Sequence, residues 1–251
     1  MHIDVVTIFP ELFEAFLLTG VLGRALERET VSIEVHDLRD WAGNRWRQVD
    51  DEPYGCGAGM VLQAPPVVAA VRDLESRAAV RTRTVLMTPR GERFHQNMAD
   101  ELAAETHLIV LCGRYEGFDE RILDILRPDE VSLGDFILGG GEVAAMAVIE
   151  SVTRLIPGVV GDPESVAEDS FVNGLLDHPC YTRPLEFEGR EVPNVLRSGN
   201  HEAVRRWRLE RSVEATVTRR PDLVNVNWGR YSQEVKLLVE RFTSDTRKEE
   251  E

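Results

Sequence analysis

Residues Ser132–Met146 read SLGDFILGGGEVAAM. A short apolar segment, three consecutive glycines and an apolar run with helical spacing follow one another. That is the pattern of a strand entering a helix through a tight turn. The same alternation continues outward in both directions. Ile3–Ile8, Val31–Val35, Thr84–Met87, Leu108–Cys112 and Glu130–Leu133 read as strands. Leu12–Leu26, Pro66–Ala79, Phe94–Glu105, Asp119–Leu126 and Glu142–Ile156 read as helices, the last closed by Pro157 and Gly158. Elements alternating in this way predict an α/β fold, a mostly parallel sheet with helices on both faces. Ligands of such sheets gather at the carboxyl ends of the strands. The loops TPRGERF (88–94), GRYEGFDE (113–120) and GDFILGGGE (134–142) fall there.

The alternation stops after about Gly161. The segment GDPESVAEDS (161–170) holds four acids and no base, which is linker composition. A turn-rich stretch, LLDHPCYTRPLEFEGREVP, follows, then helical patterns near 200–217 and 230–242 and a frayed tail, TSDTRKEEE. The expected organisation is an α/β domain over 1–160, a flexible acidic linker over 161–175 and a small, mostly α-helical domain over 176–251.

At 251 residues the chain can bury a sizeable core without covalent staples. Cys56, Cys112 and Cys180 form no CxxC pair and fit neither a disulfide framework nor a zinc site, which favours a reducing compartment. MHIDVVTIFP has no basic leader ahead of an apolar core, and no apolar run approaches membrane length. The expectation is a soluble, cytoplasmic protein with no membrane partner. A net charge of -15 argues against a generic nucleic-acid binder. Between Arg197 and Arg220, however, seven arginines face three glutamates, a local balance of +4. Such a patch could meet RNA, although a solvated helix face with i,i+4 pairs explains it at least as well.

Several chemistries are excluded. A phosphate loop of the GxxxxGK[ST] kind needs a lysine where Glu142 stands. YGCGAGM (54–60) has the wrong glycine spacing for a dinucleotide fingerprint, and no strand pattern precedes it. No HExxH, GxSxG or paired metal-ligand motif occurs, and the six histidines are scattered. Turns and close backbone packing explain both glycine clusters as readily as a ligand does. The backbone groups of the GGG turn suit a neutral planar group, such as a nucleobase, at least as well as a phosphate.

The blocks MHIDVVTIFPELF, VDDEPYGCGAGMVL, CGRYEGFDERI, SLGDFILGGGEVAAM, SVTRLIPGVVG, EDSFVNGLLDHPCYTRP and SGNHEAVRRWRLERS follow one another from Met1 to about Leu223. Together they resemble the bacterial tRNA (guanine-N1)-methyltransferases, of the superfamily that binds S-adenosylmethionine in a knotted α/β fold. The resemblance implies a trefoil knot in the C-terminal part of the α/β domain, a homodimer with a shared RNA site, and methylation of N1 of the guanine immediately 3′ of the anticodon (tRNA position 37). General topology rules would have excluded the knot.

Site residues follow from the same blocks. Asp169 matches the family's proposed general base, although Asp162, Glu164 and Glu168 are equal candidates without the resemblance. Arg154 matches its essential arginine, whereas position alone makes it a dipole partner at a helix end. Pro89, Gly113, Tyr115, Glu116, Leu133, Gly134, Asp135, Phe136, Ile137, Leu138, Gly140 and Gly141 fall on its S-adenosylmethionine pocket. For Leu133, Ile137 and Leu138 plain core stays open, and for Glu116 a surface charge. Ser198, His201, Arg205 and Arg208 fall on its tRNA-binding domain, and Trp207 reads as core ahead of base stacking. Phe136, Cys56 and Gly139 depart from the commoner tyrosine, glycine and threonine, and Cys56 reads as a small packed residue. Magnesium comes with the family as a second cofactor, with Asp50 and Asp51 near the RNA or the ion, but no ligand set is legible. The alternative is a non-catalytic RNA- or nucleotide-binding protein of the same fold.

Overall fold

A computed structural model describes residues 1–55, 58–161 and 169–249, with side chains followed to Ser244. The expectation for Cys56 lies outside the described residues, as do residues 162–168 of the segment expected as a linker. The chain forms two compact units, Met1–Gly161 and Asp162–Glu251.

Unit 1 is built on strands β1 (His2–Thr7), β2 (Ser32–Asp37), β5 (Arg83–Arg93), β6 (His107–Cys112) and β7 (Asp129–Ser132), with a short antiparallel pair, β3 (Asp50–Asp51) and β4 (Val61–Leu62), beside them. The five strands form one sheet in the order β2-β1-β6-β5-β7, every pairing parallel. Helices α1 (Glu14–Leu18), α2 (Gly20–Glu27), α3 (Ala64–Arg77), α4 (Gln96–Ala103), α5 (Arg121–Leu126) and α6 (Glu142–Thr153) cover it.

Side-chain alternation along each strand splits the core into two layers. Ile3, Val5, Val85, Met87, Leu108 and Val110 meet Leu22, Leu102, Ala145, Val148 and Ile149 on one face. Val6, Leu86, Ile109 and Leu111 meet Val67, Val71, Leu74 and Ile122 on the other. Both faces are buried, which is why β6 is apolar almost throughout (LIVLC) and not alternating.

Three sequence expectations are corrected. The single helix over Leu12–Leu26 is broken: Thr19 is extended and Gly20 takes φ +68°, a conformation no helix continues through. TPRGERF is not a free loop. It completes β5, which pairs with β7 on both sides of a bulge between Met87 and Glu92. The bulge admits Pro89, which cannot donate to a ladder, and Gly91, whose added Cβ would lie 2.4 Å from the Glu130 carbonyl carbon and Val131 nitrogen. Thirdly, Trp207 is half-buried against Tyr181, ring centroids 6.2 Å apart, and stays outside the core of unit 2.

Unit 2 contains α7 (His201–Arg219), α8 (Pro221–Asn227), α9 (Gln233–Glu249) and a two-stranded ribbon, β8 (Glu186–Phe187) with β9 (Arg190–Glu191). Its core is Leu175, Val213, Tyr231, Val235 and Val239, with Leu209 and Val217 packed against it. On α7 the inward stripe is 209, 213, 216 and 217, and residue 207 points well away from it at 100° per residue. That spacing is why Trp207 misses the core. No described helix is long and apolar enough to cross a membrane.

Candidate functional site

The carboxyl ends of β5, β6 and β7 open into a cleft of about 610 Å³ within unit 1. It lies at the carboxyl ends of the strands, where ligands of parallel α/β sheets gather, and its size suits a nucleoside-sized molecule. Pro89 enters it from the bulge of β5. Gly113, Tyr115 and Glu116 come from the turn after β6, and Leu133, Gly134, Phe136, Ile137, Leu138, Gly140 and Gly141 from the segment after β7. Asp135 is placed elsewhere. Its exposed carboxylate pairs with Arg93 at 2.5 Å, and it does not line the cleft. Ile137 and Leu138 are exposed rather than core, and Phe136 is exposed too, while Leu133 packs half-buried against the core layer that contains Val85 and Val110. An apolar wall standing open to solvent is the arrangement that receives a flat or aliphatic ligand.

Local backbone conformation explains how the turns hold their shape. Tyr115 adopts φ +61°, unusual for a residue with a Cβ. Its neighbours anchor it: the Glu116 N–H donates to the Met60 carbonyl at 2.9 Å, and the Gly117 N–H to the Arg114 carbonyl at 3.1 Å. After β7 the chain returns across the end of β5, and the Gly141 N–H donates to the Gly113 carbonyl at 2.8 Å. A Cβ on Gly141 would lie 2.9 Å from the Gly113 nitrogen and 3.0 Å from Cys112 Cα. On Gly140 it would fall 2.2 Å from Arg114 Nε. On Gly139 it would meet nothing nearer than Arg114 Nη1 at 3.9 Å. The three glycines therefore differ: two permit close approach, and the third is unconstrained.

The groups holding these segments together escaped the sequence reading. Glu142, at the start of α6, is fully buried. Thr7 at the end of β1 donates its hydroxyl to Oε1 at 2.8 Å, and Arg114 donates Nε–H to Oε2 at 2.8 Å. Arg114 also donates to the Gly139 carbonyl at 3.1 Å and lies over the Phe9 ring at 4.6 Å. One carboxylate thus ties β1, the turn after β6 and the glycine turn into a single frame. A buried carboxylate is tolerated only when paired and hydrogen-bonded, and this one is both. Burial, reinforced by the Glu142 charge, pushes the Cys112 thiol well above its ordinary range. No signal in the sequence beyond a glutamate at a helix start could have singled out this hub. At the mouth, Arg90 and Glu120 face one another at 2.8 Å.

The remaining expected residues lie on other elements of the chain. Arg154 is exposed and follows directly on the last residue of α6. Asp169 is half-buried in unit 2, its carbonyl accepting from the Val172 N–H at 3.4 Å. Ser198 closes the turn before α7 by donating to the Val195 carbonyl at 2.8 Å, and its oxygen accepts from the Asn200 N–H. His201, Arg205 and Arg208 lie exposed on the first turns of α7. Magnesium asks for several oxygen ligands. Asp51 already accepts from its neighbour's N–H and from Gln63, and neither Asp50 nor Asp51 belongs to a cluster of three potential ligands among the described residues. No step is derived through magnesium.

The cleft and its glycine frame can be set beside known proteins. The chain is 52% identical over 225 residues to the tRNA (guanine-N(1)-)-methyltransferase of Moorella thermoacetica, covering 89% of this chain and 90% of that relative. It is 51% identical over 227 residues to the enzyme of the same name from Rhodopirellula baltica, covering 89% and 94%. With the one from Bacillus subtilis it shares 50% identity over 224 residues, covering 89% and 92%. The family model described as tRNA (Guanine-1)-methyltransferase TrmD matches residues 1–226. With nine-tenths of its length matched in this way, the chain belongs to the tRNA (Guanine-1)-methyltransferase family.

Proposed function

We propose that this chain transfers a methyl group from S-adenosylmethionine to N1 of the guanine immediately 3′ of the tRNA anticodon, position 37. The observation that carries the reading is the cleft at the carboxyl ends of β5, β6 and β7, framed by Gly113, Gly140 and Gly141, in a chain of this family.

S-Adenosylmethionine, when bound, supplies an electrophilic methyl group on a sulfonium. The cleft residues supply fit and orientation. Backbone groups of the turns at 113–117 and 138–141, with Leu133, Ile137, Leu138 and Pro89, would hold the donor's adenosine part. A Cβ at Gly140 or Gly141 would fill the space into which these turns fold. Holding donor and acceptor in line accounts for a large part of the rate.

Guanine N1 is protonated at neutral pH and is a poor nucleophile. A base must take that proton as the methyl group arrives, and negative charge then grows on guanine O6, where a fixed cation stabilises it. In this reading Asp169 is the base and Arg154 the cation. Ser198, His201, Arg205 and Arg208 bind tRNA, consistent with the arginine excess of α7 on an otherwise acidic chain. The reading includes a trefoil knot, with which the return of the segment 133–141 from β7 past β5 to Gly113 is consistent. It also includes a homodimer, with exposed Val143 on α6 as apolar surface for a second copy.

The test incubates the full chain with S-adenosylmethionine and transcripts of leucine or proline tRNA, then maps the modified nucleotide. N1-methylguanine at position 37 is expected. S-Adenosylmethionine and tRNA binding without any methylated product would instead select the non-catalytic reading.

A further inference from the structure

At the opposite end of the sheet, the amino end, three of the six histidines converge on one buried carboxylate. Strand register explains how residues so far apart in sequence meet. His2 of β1 pairs directly with His107 of β6, and Asp4 pairs with Glu34 of β2. With period-two alternation, His2, Asp4, Glu34, His36 and His107 share one face. Asp4 Oδ1 receives His36 Nε2 at 2.7 Å and His2 Nε2 at 3.2 Å, and Oδ2 receives His107 Nε2 at 2.7 Å. The His2 and His107 rings stand edge to face, centroids 4.6 Å apart. Burial opposes the charge on Asp4, but the hydrogen bonds from His36 and His107 outweigh it, helped by the charge of His2, and hold its carboxyl at about 2.

We propose that this cluster is a binding site for one transition-metal dication of the zinc type, with His2, Asp4 and His107 as its ligands. Their donor atoms already lie within 4.8 Å of one another. Two imidazoles and a carboxylate suit zinc, cobalt or nickel better than magnesium or calcium, which prefer oxygen ligands. A recess of about 450 Å³ lined by these residues opens to solvent, and the His2 side chain is 30% exposed, so an ion can enter and a water can complete a tetrahedron. Arg77 also lines the recess, but its Nε donates to Asp73 at 3.1 Å, which offsets its repulsion. On binding, each ligand nitrogen presents its lone pair to the ion in place of an N–H, and the ring proton resides on Nδ1 or is released. His36 remains on Asp4 and orients the carboxylate, as outer partners of metal ligands do. The site lies at the far end of the strands from the cleft, so its test is independent of methyl transfer.

The experiment titrates the untagged, chelator-stripped full chain with Zn2+ against a chromophoric chelator, and with Co2+ followed by its visible spectrum. One equivalent with a Kd on the order of 10 μM or tighter is expected, with tetrahedral Co2+ absorption. His2→Gln, at a partly exposed strand end that folding tolerates, should weaken binding by roughly tenfold or more, and His107→Gln likewise; His36→Gln should cost about tenfold. Cys180→Ser should change nothing. Of the two other ligand clusters, Asp177, His178 and Cys180 is tested by that control, and Asp4, Glu34 and His36 by His2→Gln, which leaves it intact, so undiminished binding in His2→Gln would also overturn the proposal. Binding that survives His2→Gln but is lost in Cys180→Ser would overturn the proposal, as would the absence of any binding at this affinity by folded protein.

Discussion

Replacing Glu142 by glutamine probes the frame that joins β1, the turn after β6 and the glycine turn. The wild-type carboxylate is fully buried, and each oxygen accepts one donor at 2.8 Å, from Thr7 and from Arg114. Glutamine keeps the shape but offers one carbonyl oxygen and one NH2 group. One donor then faces another donor, and Arg114 loses its counter-charge. Leaving a buried donor unmatched costs about 1–3 kcal/mol, and removing one partner of a buried ion pair about 3–5 kcal/mol. The Arg114 side chain is 23% exposed and can turn partly to water, which favours the lower end of the second range. The expected loss is about 3 kcal/mol in unit 1, which in a unit of this size lowers Tm by roughly 6–12 °C. Urea unfolding read by hydrogen exchange of β1 and β6 peptides separates this loss from events in unit 2. Because Arg114 also holds the Gly139 carbonyl, affinity for S-adenosylmethionine should fall about tenfold, or 1.4 kcal/mol. Arg114→Met combined with Glu142→Gln should cost clearly less than the two singly, since the second change finds the pair already broken. A loss under about 1 kcal/mol with unchanged cofactor affinity would refute the reasoning.

The glycines give a paired contrast. Gly141→Ala should cost about 1–3 kcal/mol and abolish cofactor binding, because its Cβ meets backbone that cannot give way, while Gly139→Ala should leave calorimetric binding within about twofold. Asp169→Ala should keep cofactor binding and lower single-turnover methylation by about 10²–10⁴; equal activity would reassign the base. Arg154→Ala should lower the same rate by about 10²–10³, and little change would return the residue to capping α6. Under native labelling with iodoacetamide, mass spectrometry should find Cys180 modified and Cys112 untouched. Cys180 is exposed, whereas burial raises the Cys112 thiol and leaves it almost no reactive thiolate near pH 8.

Local pattern carried much of this protein. The apolar runs in Ile3–Ile8 and Leu108–Cys112, and the helix-spaced residues after Gly141, depend on near neighbours only, so most strands and helices could be read to within about three residues of their ends, the ends of β5 and α9 excepted. The loops at the carboxyl ends of the strands followed from the alternation itself. Where the chain broke its own pattern the reading failed, as at Thr19–Gly20 and at the bulge around Pro89–Gly91, because both depend on what the backbone must avoid in three dimensions.

The long-range electrostatics were illegible for a different reason. Thr7 and Glu142 stand 135 positions apart, and Asp4 and His107 stand 103 apart. Nothing in either neighbourhood distinguishes these residues from ordinary surface polar groups. Only when the order β2-β1-β6-β5-β7 brings β1 beside both β2 and β6 do Asp4, His36 and His107 share a face. The sequence by itself determined which segments become strands, which helices, and at which end of the sheet the glycine turns lie. Tertiary structure alone decided which charges are buried together, since pairing and desolvation arise only once strand order and register exist.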